Sequence, residues 1–495
     1  MVCKTVVVLG ASYGGSHAAQ ILAQELPDNW RVVLVDRNSH YNHLYALPRF
    51  AVLPEHAHKA FIPYDNIFGG PSNGQAAEPA TSSRQILLHA HVTSLQSHSL
   101  TLSRAFPQYG IEGDVPRLHF DYLVYALGSH LPAPINLWGP VGDDIAPLLD
   151  VGTKAGGIDW LKRFRSRIEQ AGSVLVVGGG ALGIQYATDI AEVFPTKSVT
   201  LLHSRDRLLP RFDENMHEEI VSALSSLNVT TVLGERLDLG SIGQTSKAKD
   251  GTMEGVVRTV SGREIRASIV LLCTGQTPNT AMLQAIMPDS VVSSGPSKGM
   301  VRVKRSMQIA VPRLSTKPES RFSDEPVQLL SRLSLTGSAS DARETDTEVD
   351  DDDDDAHLDV PCAHMFAIGD AADAFGAINA GHTAYYQGEV AARNIVKLII
   401  ASERKGDAGK EVSSDFELDR YVPGQPAIKI SLGLVCPFPC YVIVSLPTNT
   451  HRLQTQSLYQ VDGVVGKKLD AAEDLDAPLM WKFCGIEADE DGMFL

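Results

Sequence analysis

The chain has 495 residues, 43% of them hydrophobic, and a formal charge of -16 at pH 7. That length can bury two or three cores of ordinary domain size, so a lone small binding module is excluded. The acidic balance argues against a partner bound through a nucleic-acid backbone, and the scattered cysteines cannot build the disulfide framework of a small secreted scaffold.

The first stretch, KTVVVLG at residues 4–10, reads as a buried strand that ends in a glycine turn. GGSHAAQILAQEL follows with apolar residues at helical spacing, then RVVLVD as a second buried strand. This is a β-α-β unit. Its turn, Gly10-Ala11-Ser12-Tyr13-Gly14-Gly15, fits two motifs: the G-x-S-x-G elbow of a hydrolase, and a dinucleotide-binding G-x-G-x-x-G with Ser12 in the place of the middle glycine. An elbow needs an oxyanion loop from preceding chain, and too little chain precedes Gly10 to supply one. Ser12 is therefore expected beside a pyrophosphate and not as a nucleophile.

FDYLVYALGS, residues 120–129, is another buried strand ending in small residues. SVLVVGGGALGIQYATDIAEVF and SVTLLHS, residues 173–204, repeat the β-α-β arrangement, and ASIVLLCTGQTPN, residues 267–279, closes that second unit. From about 311 to 358 the composition turns to Ser, Thr, Pro, Glu and Asp, ending in the aspartates Asp350 to Asp355. Such a segment cannot bury enough apolar surface to offset its ordering entropy and is expected to be a disordered insert. It lacks the D-x-D-x-D-G spacing and distal glutamate of a calcium loop. HMFAIGDAADAFG, residues 364–376, supplies a further strand and turn, and the tail from about 401 holds strands and a short helix. Residues 435–456 match neither neighbour in periodicity or polarity.

The expected fold is α/β: two Rossmann-like dinucleotide-binding domains and a small C-terminal α+β domain. Residues 1–150 and 299–400 form the first, 151–298 the second and 401–495 the third. In such units glycine is needed where strand turns to helix, because the backbone must turn tightly and aim the positive helix end at a pyrophosphate. Gly178, Gly180 and Gly183 meet this need without departure, and Asp36 ends the second strand of the first unit, where a carboxylate accepts from an adenosine ribose.

These motifs, from VVVLGASYGG through LVDRNSHYNHLYALPR, YLVYALGS, VLVVGGGALGIQYATDIAEVFP, LLCTGQTPN and FAIGDAAD to GHTAYYQGEVAARNIV, resemble the two-dinucleotide-binding-domain flavoproteins. Within them they resemble the apoptosis-inducing-factor-like branch that includes ferroptosis suppressor proteins and fungal relatives. The resemblance implies that the first unit binds FAD and the second NAD(P)H. By it Gly10, Ser12, Gly14, Gly15, Asp36 and Asp370 hold FAD, and Gly178, Gly180 and Gly183 hold the nicotinamide nucleotide. Arg37, Ala126, Gly128 and Gly275, in the turns of the same units, join the cofactor-binding set.

Three departures bear on that set. Gln185 stands where many relatives carry a glutamate near the nicotinamide, keeping a hydrogen-bonding end without the charge. His203 takes the place of the acidic residue usual in NADH-preferring relatives, with Ser204, Arg205 and Arg207 following, so NADPH is admissible. No C-x-x-C or C-x4-C follows the first helix or closes the chain, which excludes a dithiol relay.

AGHTAYYQGEVAARN resembles the A-x-x-A-x-x-Q-G stretch of type II NADH dehydrogenases, with Gly381 for the first alanine. That resemblance puts Ala384, Gln387 and Gly388 at the flavin edge facing a quinone, with Gln387 a candidate acceptor-site residue; a core helix with an exposed glutamine is the plainer alternative. His40, Tyr41 and His43 read as structural. EHAH and HAHV alternate histidines without a third ligand nearby, so no metal is expected.

The expected activity is hydride transfer from NAD(P)H to FAD and then two electrons to a quinone-type acceptor, with the flavin itself as catalyst. A tailoring flavoenzyme of secondary metabolism and a nucleotide-switched signalling protein share the same motifs. A cytoplasmic location is expected, with peripheral contact to a membrane or lipid droplet, mitochondrial association and oligomeric state left open. No nucleic-acid partner and no transmembrane segment are expected.

Overall fold

The computed structural model describes residues 4–69, 84–139, 150–243, 245–247, 253–313, 355–408, 417–435 and 454–494. Residues 314–354 of the expected acidic insert and 436–453 of the anomalous segment lie outside the described residues; the flanks of the insert are ordered, against expectation, because Val311–Pro312 pairs with Leu358–Asp359, and Val435 and Gln454 fall within paired strands.

Lys4–Leu9 forms the centre of a five-stranded parallel sheet, with Trp30–Asp36 and then Gln85–His89 on one side, Tyr122–Tyr125 and then Met365–Ala367 on the other. Val6, Val7, Val8 and Leu9 are fully buried in one apolar core with Ala18, Ala19 and Leu22 of helix Tyr13–Glu25 and with Val92, Leu100 and Leu118 of the antiparallel strands Val92–Leu95, Ser99–Leu102 and Arg117–His119. Each such side chain contributes roughly 1.5–3 kcal/mol relative to exposure. The second sheet repeats the order in four strands: Ser173–Val177 lies between Ser198–Leu202, which Thr230–Val232 extends, and Ile269–Leu272.

Both sheets switch direction at their first strand. Leu9 pairs with Val35 on one side and Tyr125 on the other, and Val177 pairs with Leu202 and Leu272 in the same way. In open parallel sheets the crevice at this switch point is where nucleotides bind. Met365–Ala367 returns the chain to the first sheet after the second has been completed.

Helix Gly381–Ala408 lies against helix Tyr13–Glu25 at a spacing that only small residues permit. A Cβ on Gly388 would collide with the Gly14 carbonyl, and one on Gly14 with the Ala384 carbonyl. The remaining chain forms an antiparallel sheet of Ile428–Val435, Gln454–Val461 and Val464–Ala471, followed by helix Ala477–Phe483. Among the described residues no helix is long and apolar enough to cross a membrane.

Candidate nucleotide and flavin sites

The first glycine turn is fixed by close backbone contacts. Gly10 has φ +94°, a conformation L side chains avoid, and any Cβ there would strike the Ala126 carbonyl. A Cβ on Gly15 would fall on the Gly10 carbonyl oxygen. Ser12 sits between them as the residue before helix Tyr13–Glu25, with φ -84° and ψ 164°, and makes no side-chain cap bond. That unstrained extended conformation is not the sharp strained turn of a nucleophile elbow, so the backbone itself excludes the hydrolase motif.

The second turn matches it residue for residue. Gly178 has φ +126° and a Cβ there would lie 2.7 Å from the Cys273 carbonyl, while one on Gly183 would strike Gly178. Gly180 occupies the place of Ser12, and a Cβ built on it meets nothing within 4 Å. Space for a small side chain therefore exists at this position of the turn, which explains how serine is accommodated in the first copy.

Both helices leave their first-turn N–H groups without a side-chain acceptor. Helix Lys154–Gln170, by contrast, is capped by the Thr153 hydroxyl and helix Glu214–Ser226 by the Asp213 carboxylate. Uncapped helix starts aimed from a glycine turn suit an anion, and a pyrophosphate satisfies what Thr153 and Asp213 satisfy elsewhere.

Asp36 is 8% exposed; its Oδ2 accepts from Ala11 N–H at 2.7 Å and its Oδ1 from Asn38 N–H at 2.7 Å. Burial pushes its carboxyl above the usual range, opposed by those two bonds. Asn38 Oδ1 is buried with no donor among the described residues. An unpaired acceptor beside Asp36 and an uncapped helix start fit an adenosine diphosphate moiety. Arg37 is exposed, and its carbonyl is bonded to His89 Nε2 at 2.9 Å. Gly128 and Gly275, with φ +60° and +74°, turn the chain at corresponding strand ends, and neither has a neighbour in the way of a ligand.

Asp370 is brought to the same crevice. Its Oδ2 accepts from Ser129 Oγ at 2.9 Å, joining the GD turn to the turn after Tyr122–Tyr125. Burial raises its pKa, and the Ser129 bond opposes the shift.

His203 stands where Asp36 stands in the first unit. Its Nδ1 accepts from Gly179 N–H at 3.1 Å, so the other ring nitrogen carries the proton. Burial, and then Arg205, lower its pKa and keep it neutral. Arg205 is exposed, whereas Arg207 donates to the carbonyls of Pro210 at 2.9 Å and Phe212 at 3.0 Å. The structure thus separates two arginines that are equivalent in the sequence: Arg207 shapes the loop, and Arg205 is turned to solvent.

Two glutamines differ from expectation. Gln185 is 4% exposed and donates to Ser431 Oγ at 3.1 Å, so its amide fastens the nucleotide helix to the C-terminal sheet. Gln387 is 2% exposed and its Oε1 accepts from Gly369 N–H at 2.7 Å. Its side chain is tied to the GD turn and is not the exposed glutamine of a plain core helix. Helical spacing showed the face each residue occupies but not what packs on that face.

His40 and His43 are buried and held neutral, each with its pKa lowered to about 4 by desolvation. EHAH does gain a third donor from distant sequence: Glu55, His56 and Glu473 place one ligand atom each within 4.8 Å of one another. The trio is exposed to half-buried, and His56 Nε2 lies 3.6 Å from Glu473 Oε1 as an ordinary histidine–carboxylate pair.

A further feature had no sequence signal. Tyr13, Tyr41, Tyr64 and Tyr385 line a cavity of about 40 Å³ together with Met480 and Phe483 of helix Ala477–Phe483 and Cys484 just beyond it. Tyr13 and Tyr41 meet edge to face with ring centroids 4.8 Å apart. Leu479, Phe483 and Tyr386 are exposed on the same two helices.

Two matched Rossmann-like units with uncapped helix starts, a buried carboxylate at a strand end and a GD turn define a flavin- and NAD(P)H-dependent oxidoreductase. Residues 4–315 match the family of pyridine nucleotide-disulphide oxidoreductases, and the chain belongs to that family. It is 41% identical over 434 residues to Fe-regulated protein 8 of Mycosarcoma maydis, covering 87% of each chain. It is 26% identical over 308 residues to apoptosis-inducing factor homolog B of Dictyostelium discoideum, covering 60% of this chain and 70% of that one. Human ferroptosis suppressor protein 1 matches at 26% over 310 residues, 61% and 70% of the two chains. Among solved structures, reduced Bacillus anthracis CoADR-RHD superposes with a TM-score of 0.50 at 14% identity, covering 94% of this chain and 70% of that one, a likeness of fold alone. FAD and NAD(P)H are the cofactor and co-substrate. Among the described cysteines Cys273, Cys362 and Cys484 are unpaired.

Proposed function

We propose that the protein is an NAD(P)H:quinone oxidoreductase, in which NAD(P)H and one proton convert a quinone-type acceptor to its hydroquinone. Bound FAD supplies the redox chemistry, taking a hydride from the nicotinamide and giving two electrons to the acceptor. Gly10, Ser12, Gly14, Gly15, Asp36, Arg37, Ala126, Gly128 and Asp370 hold FAD. Gly178, Gly180, Gly183, His203, Arg205 and Gly275 hold NAD(P)H, and Gln185 and Gln387 act behind them as supports. Residues 1–150 and 299–400 make the flavin domain, 151–298 the coenzyme domain and 401–495 the cap.

The observation that supports a quinone-type acceptor is the tyrosine-walled cavity beside the start of helix Gly381–Ala408. Flat aromatic walls suit a flat apolar ring. At about 40 Å³ the cavity holds little more than a water, so a ring enters only as the lining side chains rearrange.

Anaerobic titration tests the first half: a yellow protein bleached by NADPH or NADH supports the reading, and a colourless protein that FAD cannot reconstitute overturns it. An acceptor screen tests the second half. Benzoquinone and short-chain ubiquinone analogues should reoxidise the flavin faster than oxygen does. If none of them reoxidises it within minutes, the acceptor class is wrong and a nucleotide switch is the better account.

A further inference from the structure

Arg49 is a fully buried arginine that none of the nucleotide chemistry uses. It lies in the short helix Leu47–Phe50 of the flavin half, and its guanidinium donates to Asp189 Oδ1 at 2.8 Å with both side chains at 0% exposure. The same guanidinium donates to the carbonyls of Glu473 at 3.1 Å and Gly433 at 3.3 Å, both in the C-terminal part. Asp189 belongs to the coenzyme-binding helix Ala181–Val193, one turn beyond Gln185, whose amide faces the same seam. Three portions of the chain, distant in sequence, therefore meet at one planar group.

Stability alone is a weak reason for such a pair. Removing two charges from water costs much of what their attraction returns, and well-packed apolar replacements are often neutral or better. The seam also carries an uncompensated cost, because Asp189 Oδ2 is buried with no donor among the described residues. What an arginine fork adds is direction: it fixes the angle between the groups it joins.

That angle matters to the reaction. Gly183, at the turn that receives the coenzyme, is six residues from Asp189, or about 9 Å along the helix axis. A tilt of about 10° at the seam would carry the turn about 1.5 Å, and misplacement by 1 Å can cost about a hundredfold in rate.

We propose that Arg49 and Asp189 are a positioning pair for hydride transfer, holding the coenzyme helix at the angle that brings the nicotinamide to the flavin. The inference rests on the NAD(P)H-to-FAD reading of the two sites and adds residues outside both of them.

The test compares the unaltered protein with the apolar double variant Arg49→Met/Asp189→Leu and with Arg49→Lys. In the double variant, FAD content and melting temperature should stay near those of the unaltered protein. The limiting rate of flavin bleaching at saturating NADPH should fall about 10- to 100-fold, with coenzyme Kd changed less than about threefold. Independently of turnover, amide exchange in FAD-free protein should quicken along residues 181–193 and 428–435. Arg49→Lys keeps the charge but not the planar fork, so it should fold and bind coenzyme like the unaltered protein while its bleaching rate falls about fivefold or more.

A folded double variant with an unchanged bleaching rate overturns the proposal. If the double variant does not fold, Arg49→Lys decides: a rate about fivefold or more lower, with coenzyme Kd within about threefold and quicker amide exchange along residues 181–193, supports positioning, and an unchanged rate or unchanged exchange overturns it. Failure of either coenzyme to bleach the unaltered protein would instead overturn the underlying functional reading.

Discussion

At the end of the second strand of the first sheet, Asp36 accepts a hydrogen bond from Ala11 N–H; at the same point of the second sheet, His203 accepts one from Gly179 N–H. Each acceptor meets the N–H of the residue that follows the first glycine of its turn. Each first glycine in turn donates to the strand beside it, Gly10 to Val35 and Gly178 to Leu202, both at 2.8 Å. The geometry is conserved between the two units while the charge is not. A buried carboxylate suits ribose hydroxyls and repels a phosphate; a neutral imidazole makes the same backbone bond without repelling one. One fold is thus used twice, with the same backbone bond accepted by a charged side chain in one copy and by a neutral one in the other.

The strongest way to break this comparison is to obstruct one turn at a time. Gly15→Val and Gly183→Val each drive a side chain into the carbonyl of the turn's first glycine. The cost is roughly 3 kcal/mol or more, about a hundredfold or more in ligand affinity. The outcomes should differ by site: Gly15→Val purifies colourless, while Gly183→Val stays yellow and is no longer bleached by coenzyme. Flavin absorbance of the two proteins, before and after NADPH, reads this directly. Two colourless proteins would mean the units are not independent.

The two sheets should also differ in tolerance to acid. His40 and His43 lie in the flavin half with folded pKa values depressed to about 4 from an ordinary 6.5. A depressed value favours the neutral form, so their contribution to stability is full above pH 6.5 and is lost as pH falls toward 4. FAD release, followed by the recovery of flavin fluorescence, should therefore rise steeply between pH 6 and 4. Replacing His43 by Gln should flatten that rise, and an unchanged profile in both His40→Gln and His43→Gln would show that acid acts elsewhere.

Coenzyme choice sharpens the comparison at the strand end. His203→Asp rebuilds in the second unit the charge that Asp36 gives the first. A carboxylate roughly 6 Å from a dianionic phosphate in a largely aqueous surrounding, with an effective dielectric of about 55, costs about 2 kcal/mol, near thirtyfold in kcat/KM for NADPH. NADH should be affected less than about threefold. Arg205→Ala should lower NADPH use by a smaller amount, about tenfold, because an exposed arginine contributes at the low end of charge-assisted bonds to phosphate. Arg207→Ala should leave the NADPH/NADH ratio alone and lower the melting temperature, since its guanidinium holds the Pro210 and Phe212 carbonyls. A ratio that shifts with Arg207 and not with Arg205 would reverse the assignment.

Much of this was legible in the sequence, for reasons that are local. The glycines of both turns, Asp36 and the small-residue strand ends declare themselves because backbone conformation and strand-end position are set by neighbours in the chain. Contacts between distant segments do not declare themselves. Nothing near Gln387 points to the Gly369 N–H it holds, nothing near Gln185 to Ser431, and nothing near Arg49 to Asp189. Arg205 and Arg207 look alike in sequence because the difference lies in which carbonyls the loop folds back to offer. The tyrosine cavity is likewise assembled from five separate stretches of chain.

The smallest expected effect concerns Ser12, where the two turns differ by a single side chain. Its counterpart Gly180 has open space at the Cβ position, and Ser12 itself has unstrained backbone and no cap bond. Ser12→Gly should therefore restore the glycine pattern with little gain, within about threefold in FAD affinity, since only a hydroxyl beside the pyrophosphate is lost. Ser12→Ala removes the hydroxyl while keeping the backbone preference and should behave the same. Both variants should bleach with NADPH at the rate of the unaltered protein. The measurement also tests the rejected chemistry: a hydrolase would lose all turnover of an ester substrate with Ser12→Ala, whereas a serine that only fills space beside a phosphate would leave flavin reduction intact. A loss of flavin reduction beyond about tenfold in Ser12→Ala would show that the hydroxyl, and not the space it occupies, distinguishes the flavin turn from the coenzyme turn.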